Sequence, residues 1–244
     1  IIGLLTTLLT VACVWISSKN DVPNYLMPIP GFTIIMAIFS TPTLAFVATI
    51  IFIALISSSL FLEPQFIAVY VFGALASVFF VSRISYTRRF DLVKWGVWTG
   101  VVMAVFIVVI GLFENQFSLS SFTMSLKIAS NALLNGFFSG VLSLGIIPIF
   151  ENTFKAVTPY GLIELADHNS PLLSKLQCKA PGTYHHSLMV ANLCEAAAEA
   201  IGADPILARV GAFYHDIGKL QKPFFFIENQ SYFGVENPHN KLNP

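Results

Sequence analysis

The sequence predicts an all-α protein, a polytopic bundle of transmembrane helices over residues 1–150 followed by a smaller, water-soluble helical domain. Of its 244 residues, 55% are hydrophobic and 11% are charged, whereas a soluble domain has about 25% charged residues. The charges are also unevenly placed, with ten in the first 150 residues and sixteen in the last 94. This split indicates a membrane module followed by a soluble one.

Six apolar runs are candidates to cross a hydrocarbon core about 30 Å thick, which needs roughly 20 residues per helix. They are residues 1–16, 25–39, 43–61, 65–82, 95–113 and 128–150. The second run is short, and Pro28 and Pro30 lie at its start, where proline is tolerated. Ser40-Thr41-Pro42 predicts a tight turn between the second and third runs, so we expect two helices there rather than one kinked helix.

The basic residues between the fourth and fifth runs set the orientation. The stretch "RISYTRRFDLVKWG", residues 83–96, contains four basic residues and one acid. An excess of Lys and Arg in a short loop indicates the cytoplasmic side. Two spans later, the segment after Phe150 is therefore also cytoplasmic, and the loop at residues 19–24 lies outside.

The sixth run combines small and amide side chains. Gly136, Gly140 and Ser143 fall on or near one helical face, an arrangement that lets membrane helices approach closely. Asn131 and Asn135 either hydrogen-bond across that contact or line a polar cavity, and both interpretations stay open. No charged residue lies in the middle of a run, which argues against an ion pump, a proton relay or a six-span transporter.

Residues 151–182 predict a linker that couples the membrane module to the domain behind it. Pro159 and Gly161 break any helix that continues from the sixth run. Two short amphipathic helices are expected, "YGLIELAD" and "PLLSKLQ", separated by the turn at residues 168–170. His168 is interpreted as a turn or cap residue rather than a ligand.

Residues 183–244 begin with two helices that run roughly antiparallel. Gly202 suits the left-handed residue after a helix, and Asp204-Pro205 suits an N-cap followed by a first-turn proline. The second helix is expected to end near Gly218. Because the connection is short, the start of the first helix and the end of the second lie close together, which brings His186 opposite His215-Asp216.

These side chains suit a metal centre. Imidazole nitrogens bind borderline transition metals, and a carboxylate can bridge two cations. Two metal ions about 3.5–4 Å apart can assist displacement at phosphorus, and Lys219 is placed to contact a phosphate oxygen. The cysteines, Cys13, Cys178 and Cys194, have no CxxC or finger spacing, so neither a zinc ribbon nor a disulfide framework is predicted.

The order His, then His-Asp, resembles the HD phosphohydrolase superfamily, whose pattern ends with a distant Asp. The stretch of about 70 residues from "LIELADHNS" through "GTYHHS" and "YHDIGK" to "FFFIENQ" is similar to the bacterial seven-transmembrane HD family of the PgpH type. The resemblance implies a protein of the bacterial inner membrane whose cytoplasmic HD domain hydrolyses cyclic di-AMP to linear pApA. It also implies two divalent transition-metal ions, Mn or Fe.

The resemblance assigns roles to individual residues. His186, His215 and Asp216 match the family's first metal ligands, with Asp216 as the bridge and a catalytic group. Lys219 is expected to contact phosphate and to assist catalysis. His185 is expected to contact substrate or shape the turn, and His239 lies in an "NPH" motif.

The family also has an extracellular domain, a further span and later His and Asp ligands. We therefore expect this chain to be a fragment with a truncated HD domain and, on its own, to be inactive. Two alternatives stay open: a receptor whose HD domain binds nucleotide without catalysis, and an HD hydrolase of another phosphoester. The balanced charge gives no support for a nucleic-acid polymer as partner, and a homodimer is left open.

Overall fold

The computed structural model describes residues 8, 11, 12, 15, 24–84, 88–114 and 119–241. These residues are helical or irregular, and no strand occurs among them, which confirms the all-α prediction. The chain divides into two compact units, Ile1–Ala156 and Val157–Pro244. The run predicted at residues 1–16 lies outside the described residues except at positions 8, 11, 12 and 15.

The first unit contains five described α-helices after a 3₁₀ turn at Asn24–Leu26. They are α1 (Ile29–Phe39), α2 (Pro42–Leu60), α3 (Pro64–Val81), α4 (Asp91–Glu114) and α5 (Leu119–Phe154). Helices α2 to α5 are long and apolar enough to cross a membrane. They correspond to the third to sixth predicted runs.

The second predicted run forms a shorter helix than expected. Helix α1 has 11 residues, or about 16 Å at 1.5 Å per residue, and all of them except Phe39 are buried. Before it, residues 24–28 leave backbone carbonyls outside any α-helix. The Asn135 amide donates to the carbonyls of Tyr25 at 2.9 Å and Met27 at 2.7 Å, so this non-helical backbone is satisfied by protein.

Helices α1 and α2 are separate, as predicted. Ser40 is extended, and the Thr41 hydroxyl accepts a hydrogen bond from the Leu44 amide at 3.4 Å. Pro42 occupies the first turn of α2, where its missing amide hydrogen leaves no bond unmade.

Helices α4 and α5 are longer than their predicted runs. Helix α4 begins at Asp91, whose carboxylate suits a helix N-terminus. Helix α5 extends from Leu119 to Phe154, because the exposed Lys127, just before the predicted run, does not interrupt the helix.

Glycines on both helices let α4 and α5 approach until their backbones touch. A side chain at Gly136 would overlap the carbonyl of Gly96 and the backbone of Gly100, and one at Gly140 would meet Val93. The predicted close approach at Gly136 and Gly140 is therefore present, and Gly96 and Gly100 form its other half.

The second unit contains five more α-helices: α6 (Pro159–Leu165), α7 (Pro171–Lys179), α8 (Pro181–Ala200), α9 (Pro205–Tyr214) and α10 (Ile227–Phe233). Helices α8 and α9 pack together around a core that contains Leu173, Ala191 and Phe213. The two short helices predicted before residue 180 are α6 and α7.

The predicted connection between α8 and α9 is confirmed, but the predicted end of α9 is wrong. Gly202 has φ +71°, and the Asp204 carboxylate accepts from the amides of Ile206 and Leu207. Helix α9 ends at Tyr214 rather than near Gly218, because the backbone of Asp216 leaves the α-helical region and a 3₁₀ helix follows at Ile217–Gln221.

Candidate metal centre

The first turns of α8 and the C-terminal end of α9 bring three metal-ligating side chains to one point. The ligand atoms of His186, His215 and Asp216 all lie within 4.8 Å of one another, and no other such group occurs in the described part of the chain. The two imidazole rings have centroids 5.6 Å apart. The structure therefore brings together the three residues that the sequence predicts as ligands.

His215 is oriented by its own helix. Its Nδ1 atom lies 2.6 Å from the carbonyl oxygen of Ala212. A carbonyl only accepts hydrogen bonds, so Nδ1 carries the proton and Nε2 faces the site. Nε2 lies 3.3 Å from Asp216 Oδ2. The hydrogen bond from Nδ1 to a backbone carbonyl is the kind that fixes the ring orientation of metal-binding histidines.

Lys219 lies between two carboxylates. Its Nζ is 2.8 Å from Asp216 Oδ2 and 2.8 Å from Glu228 Oε1. Burial works against the charged form of Lys219, yet the hydrogen bonds to Asp216 and Glu228 hold its pKa above the ordinary value. Lys219, which the sequence predicts to contact phosphate, therefore pairs with two carboxylates of the protein itself.

Both carboxylates stay ionised at neutral pH. Partial burial opposes the charge on Asp216, but the hydrogen bond from Lys219 and the neighbouring His215 lower its pKa below the ordinary value. Burial likewise opposes the charge on Glu228, and the hydrogen bond from Lys219 outweighs it, so the pKa of Glu228 is also lowered. Asp216 is therefore a charged oxygen donor available to a metal.

Glu228 lies on α10 and is held in place by contacts with the first turn of α8. Thr183 donates to Glu228 Oε1 at 3.1 Å, and the Thr183 amide donates to Asn229 Oδ1 at 3.0 Å. Asn229 returns a hydrogen bond to Thr183 Oγ1 at 2.9 Å. A side chain at Gly182 would overlap the Glu228 carbonyl, so only glycine permits this contact.

The sequence did not predict that Glu228 and Asn229 pack against Thr183 beside the candidate ligands. Glu228 and Asn229 lie in the "FFFIENQ" stretch, but no local pattern pairs them with residues 45 or 46 positions earlier. The one available signal was the acid itself, the first after Lys219 in the chain.

The remaining histidines lie apart from the three ligands. His185 is exposed and stacks on Tyr232, with ring centroids 6.0 Å apart. His239 hydrogen-bonds Asn237 at 2.7 Å. His168 lies in a turn, as predicted, with Nδ1 3.0 Å from the Tyr184 hydroxyl.

Two nitrogen donors and one carboxylate suit a borderline divalent ion such as Mn, Fe or Zn.

Comparison with models of known protein families shows which family the chain belongs to. A model described as "7TM receptor with intracellular HD hydrolase" matches residues 1–158, and the HD domain model matches residues 183–242. The chain belongs to the 7TM receptors with an intracellular HD hydrolase. The resemblance seen in the sequence is thereby confirmed, and the chain is a membrane protein.

Curated members of this family are similar over most of the chain. The cyclic-di-AMP phosphodiesterase PgpH of Listeria monocytogenes is 40% identical over 221 residues, 90% of this chain and 30% of that protein. PgpH of Bacillus subtilis is 36% identical over 253 residues, 99% of this chain and 35% of that protein. An uncharacterized protein of Synechocystis sp. is 32% identical over 88% of this chain and 26% of its own length.

The chain thus spans about a third of the length of the two PgpH relatives. None of the solved structures matches it.

Proposed function

We propose that this protein is a membrane-anchored, metal-dependent phosphodiesterase whose HD domain hydrolyses cyclic di-AMP to linear pApA. The observation that carries the proposal is the convergence of His186, His215 and Asp216 within a chain of this family. The names of the two PgpH relatives support cyclic di-AMP as the substrate.

His186, His215 and Asp216 would hold the metal ions, proposed to be two divalent transition metals such as Mn or Fe. When bound, such ions activate water for attack at phosphorus and neutralise charge on the phosphoryl oxygens. The protein contributes an ionised Asp216 and a His215 whose ring is oriented by the Ala212 carbonyl so that Nε2 faces the site. Catalytic roles fall to Asp216 and to Lys219.

Substrate contacts are proposed for Lys219 and His185. The Lys219 ammonium lies beside Asp216, so it is placed to pair with a phosphate oxygen of a substrate at the metal centre. His185 precedes the ligand His186 on α8 and is exposed, so its imidazole is accessible to a nucleotide.

The HD domain is proposed to lie in the cytoplasm of a bacterial cell, below the inner membrane. The four basic residues between α3 and the first turn of α4 support this orientation through the positive-inside rule. Residues 151–182 are proposed to couple the membrane module, residues 1–150, to the domain at residues 183–244. A homodimer stays a prediction.

The test is turnover of cyclic di-AMP by the full-length protein with Mn²⁺, measured by chromatography of pApA. His215→Ala and Asp216→Ala should each lose more than about 100-fold, because even the outer-shell partners of a metal matter 10- to 100-fold. His239→Ala, outside the ligand group, is the matched control and should keep its activity.

Equal activity in the two ligand variants would contradict the metal assignment. Binding of cyclic di-AMP without turnover would instead favour the nucleotide-binding receptor, and turnover of another phosphoester alone would change the substrate. The 244-residue chain assayed in parallel tests the expectation that it is inactive by itself.

A further inference from the structure

The loop at residues 165–170, which comprises the last residue of α6 and the turn before α7, contacts both helices that carry the candidate ligands. Tyr214, the residue before His215, donates its hydroxyl hydrogen to the carbonyl oxygen of Leu165 at 2.8 Å. The same hydroxyl lies 3.1 Å from Ser170 Oγ. From the other helix, the Tyr184 hydroxyl lies 3.0 Å from His168 Nδ1. Tyr214 directly precedes the ligand His215, and Tyr184 lies two residues before the ligand His186, so each ligand helix contacts this loop through a tyrosine hydroxyl.

Ring packing supports the same contact. The His168 ring meets the Tyr184 ring edge-on, with centroids 6.1 Å apart, and meets the Phe213 ring edge-on at 5.5 Å. Tyr184 and Phe213 are buried on α8 and α9 respectively. His168 thus contacts an aromatic ring from each of the two helices.

The loop itself is held in one shape by short-range hydrogen bonds. The Asp167 carboxylate accepts from the Asn169 amide at 2.9 Å, and the Ser170 amide donates to the Asp167 carbonyl at 2.9 Å. Local bonds of this kind define a turn without help from distant residues. The loop therefore keeps its shape through its own hydrogen bonds, and its shape does not depend on the contacts with the two tyrosines.

The geometry of the helix pair shows why such a support matters. Helices α8 and α9 are joined covalently through residues 201–204, at the end of α8 opposite to His186. At the ligand end nothing covalent sets the spacing between His186 and His215-Asp216. Metal sites require their ligands within about 0.5 Å of the binding geometry, so side-chain contacts must fix that spacing.

We propose that the loop at residues 165–170 is a positioning clamp for the metal centre, and that Tyr184 and Tyr214 are its positioning residues. Their hydroxyls tie α8 and α9 to one rigid loop and so hold the imidazole of His186 at a set distance from His215 and Asp216. This inference rests on the proposed metal-binding function.

The test compares metal binding by full-length protein with Tyr184→Phe, Tyr214→Phe and the double variant. These substitutions keep each ring and remove only the hydroxyl. Isothermal titration with Mn²⁺ should show affinity about tenfold weaker in each single variant, the lower end of the range for outer-shell partners of a metal. The visible spectrum of bound Co²⁺ should also shift, because it reports ligand geometry rather than stability.

Tyr232→Phe is the matched control, because the Tyr232 hydroxyl makes no hydrogen bond within the described residues and its ring is kept. Ser170→Ala gives a second approach that leaves both ligand helices unchanged, and we expect a smaller loss of affinity from it. Thermal unfolding in chelator identifies any variant that is simply unfolded, and Ser170→Ala then decides the question.

Wild-type affinity and an unshifted Co²⁺ spectrum in Tyr184→Phe, Tyr214→Phe and Ser170→Ala would overturn the clamp and leave the metal site intact. An equal loss in Tyr232→Phe would overturn it as well, because the effect would not be specific to the loop. Failure of the unsubstituted protein to bind metal would overturn the proposed function together with the clamp.

Discussion

The two units of this protein hold their helices together by different means. In the membrane unit, α4 and α5 meet through glycines at backbone distance, and buried hydroxyl pairs such as Thr33–Thr49 link other helices. In the second unit, an apolar core packs α8 and α9, and charged side chains gather at one end.

The two units differ in how their helices pack because one is surrounded by lipid and the other by water. Lipid is as apolar as a leucine side chain, so burial gives little net force between membrane helices and close shape fit with hydrogen bonds decides association. In water, apolar burial supplies the stability, and polar side chains at the helix ends are available for chemistry. Substitutions that probe each mode of packing should therefore have effects of different size.

The largest effect is expected from Gly136→Leu in the membrane unit. The new side chain would overlap the backbone of Gly96 and Gly100, and backbone cannot rotate away. Overpacking usually lowers stability by about 1–3 kcal/mol, and we expect the upper end or complete loss of folded protein. Thermal unfolding in detergent measures it.

Gly145→Leu is the control for that prediction, because nothing lies within 4 Å of the position and the helix is the same. If both variants unfold alike, close backbone contact is not what joins α4 and α5.

The next effect is expected in the second unit, from Gly182→Ala. Its methyl group would overlap the Glu228 carbonyl, which separates α10 from α8 and withdraws Glu228 from Lys219. We expect a loss of about 1–3 kcal/mol in the free energy of unfolding, measured by denaturant titration. Gly211→Ala is the control, because Gly211 lies on α9 and nothing is within 4 Å of the added methyl group. We expect this variant to be neutral or more stable by up to about 1 kcal/mol. If Gly182→Ala and Gly211→Ala are both destabilised, the steric explanation is refuted.

A smaller effect is expected from Asn135→Leu, which removes the donor that satisfies the carbonyls before α1. Hydrogen bonds between membrane helices contribute about 0.6–2 kcal/mol, and an unpaired carbonyl adds to the loss. Asn131→Leu, four residues earlier on α5, is the comparison and should lose less. The reverse order, measured by thermal unfolding, would indicate that Asn131 is the structural amide.

The smallest effect concerns pH. The lowered pKa of Glu228 means that its ionisation stabilises the fold above the ordinary value of 4.5, and that this contribution is lost as pH falls below it. In chelator, unfolding temperature should therefore fall between about pH 5 and pH 3. Glu228→Gln should be less stable at pH 7 and show a shallower fall; an identical pH profile would contradict the role of the Lys219 pair.

Local patterns explain which features the sequence predicts. Gly202 and Asp204-Pro205 specify the connection between α8 and α9 through backbone preferences of single residues, and that connection brings His186 to His215. Gly136 and Gly140, four residues apart on one helical face, mark the close helix contact because they have no side chain to hold the backbones apart. Each of these signals lies within a few consecutive residues.

The features that sequence reasoning missed depend on distant partners. The sequence leaves open whether Asn135 forms a hydrogen bond across a helix contact or lines a cavity, because its partners, Tyr25 and Met27, lie 110 and 108 positions away. The pairing of Thr183 with Glu228 and Asn229 needs the fold of the second unit, and no periodicity encodes it. The early end of α9 likewise reflects the backbone at Asp216 rather than the helical pattern before it.

The central claim is that His186, and not its neighbour His185, completes the metal centre with His215 and Asp216. The most direct measurement is the metal content of purified full-length protein, determined by inductively coupled plasma mass spectrometry after growth with Mn and Fe. His186→Ala should lose bound metal while His185→Ala retains it. Metal retained in His186→Ala and lost in His185→Ala would contradict the account.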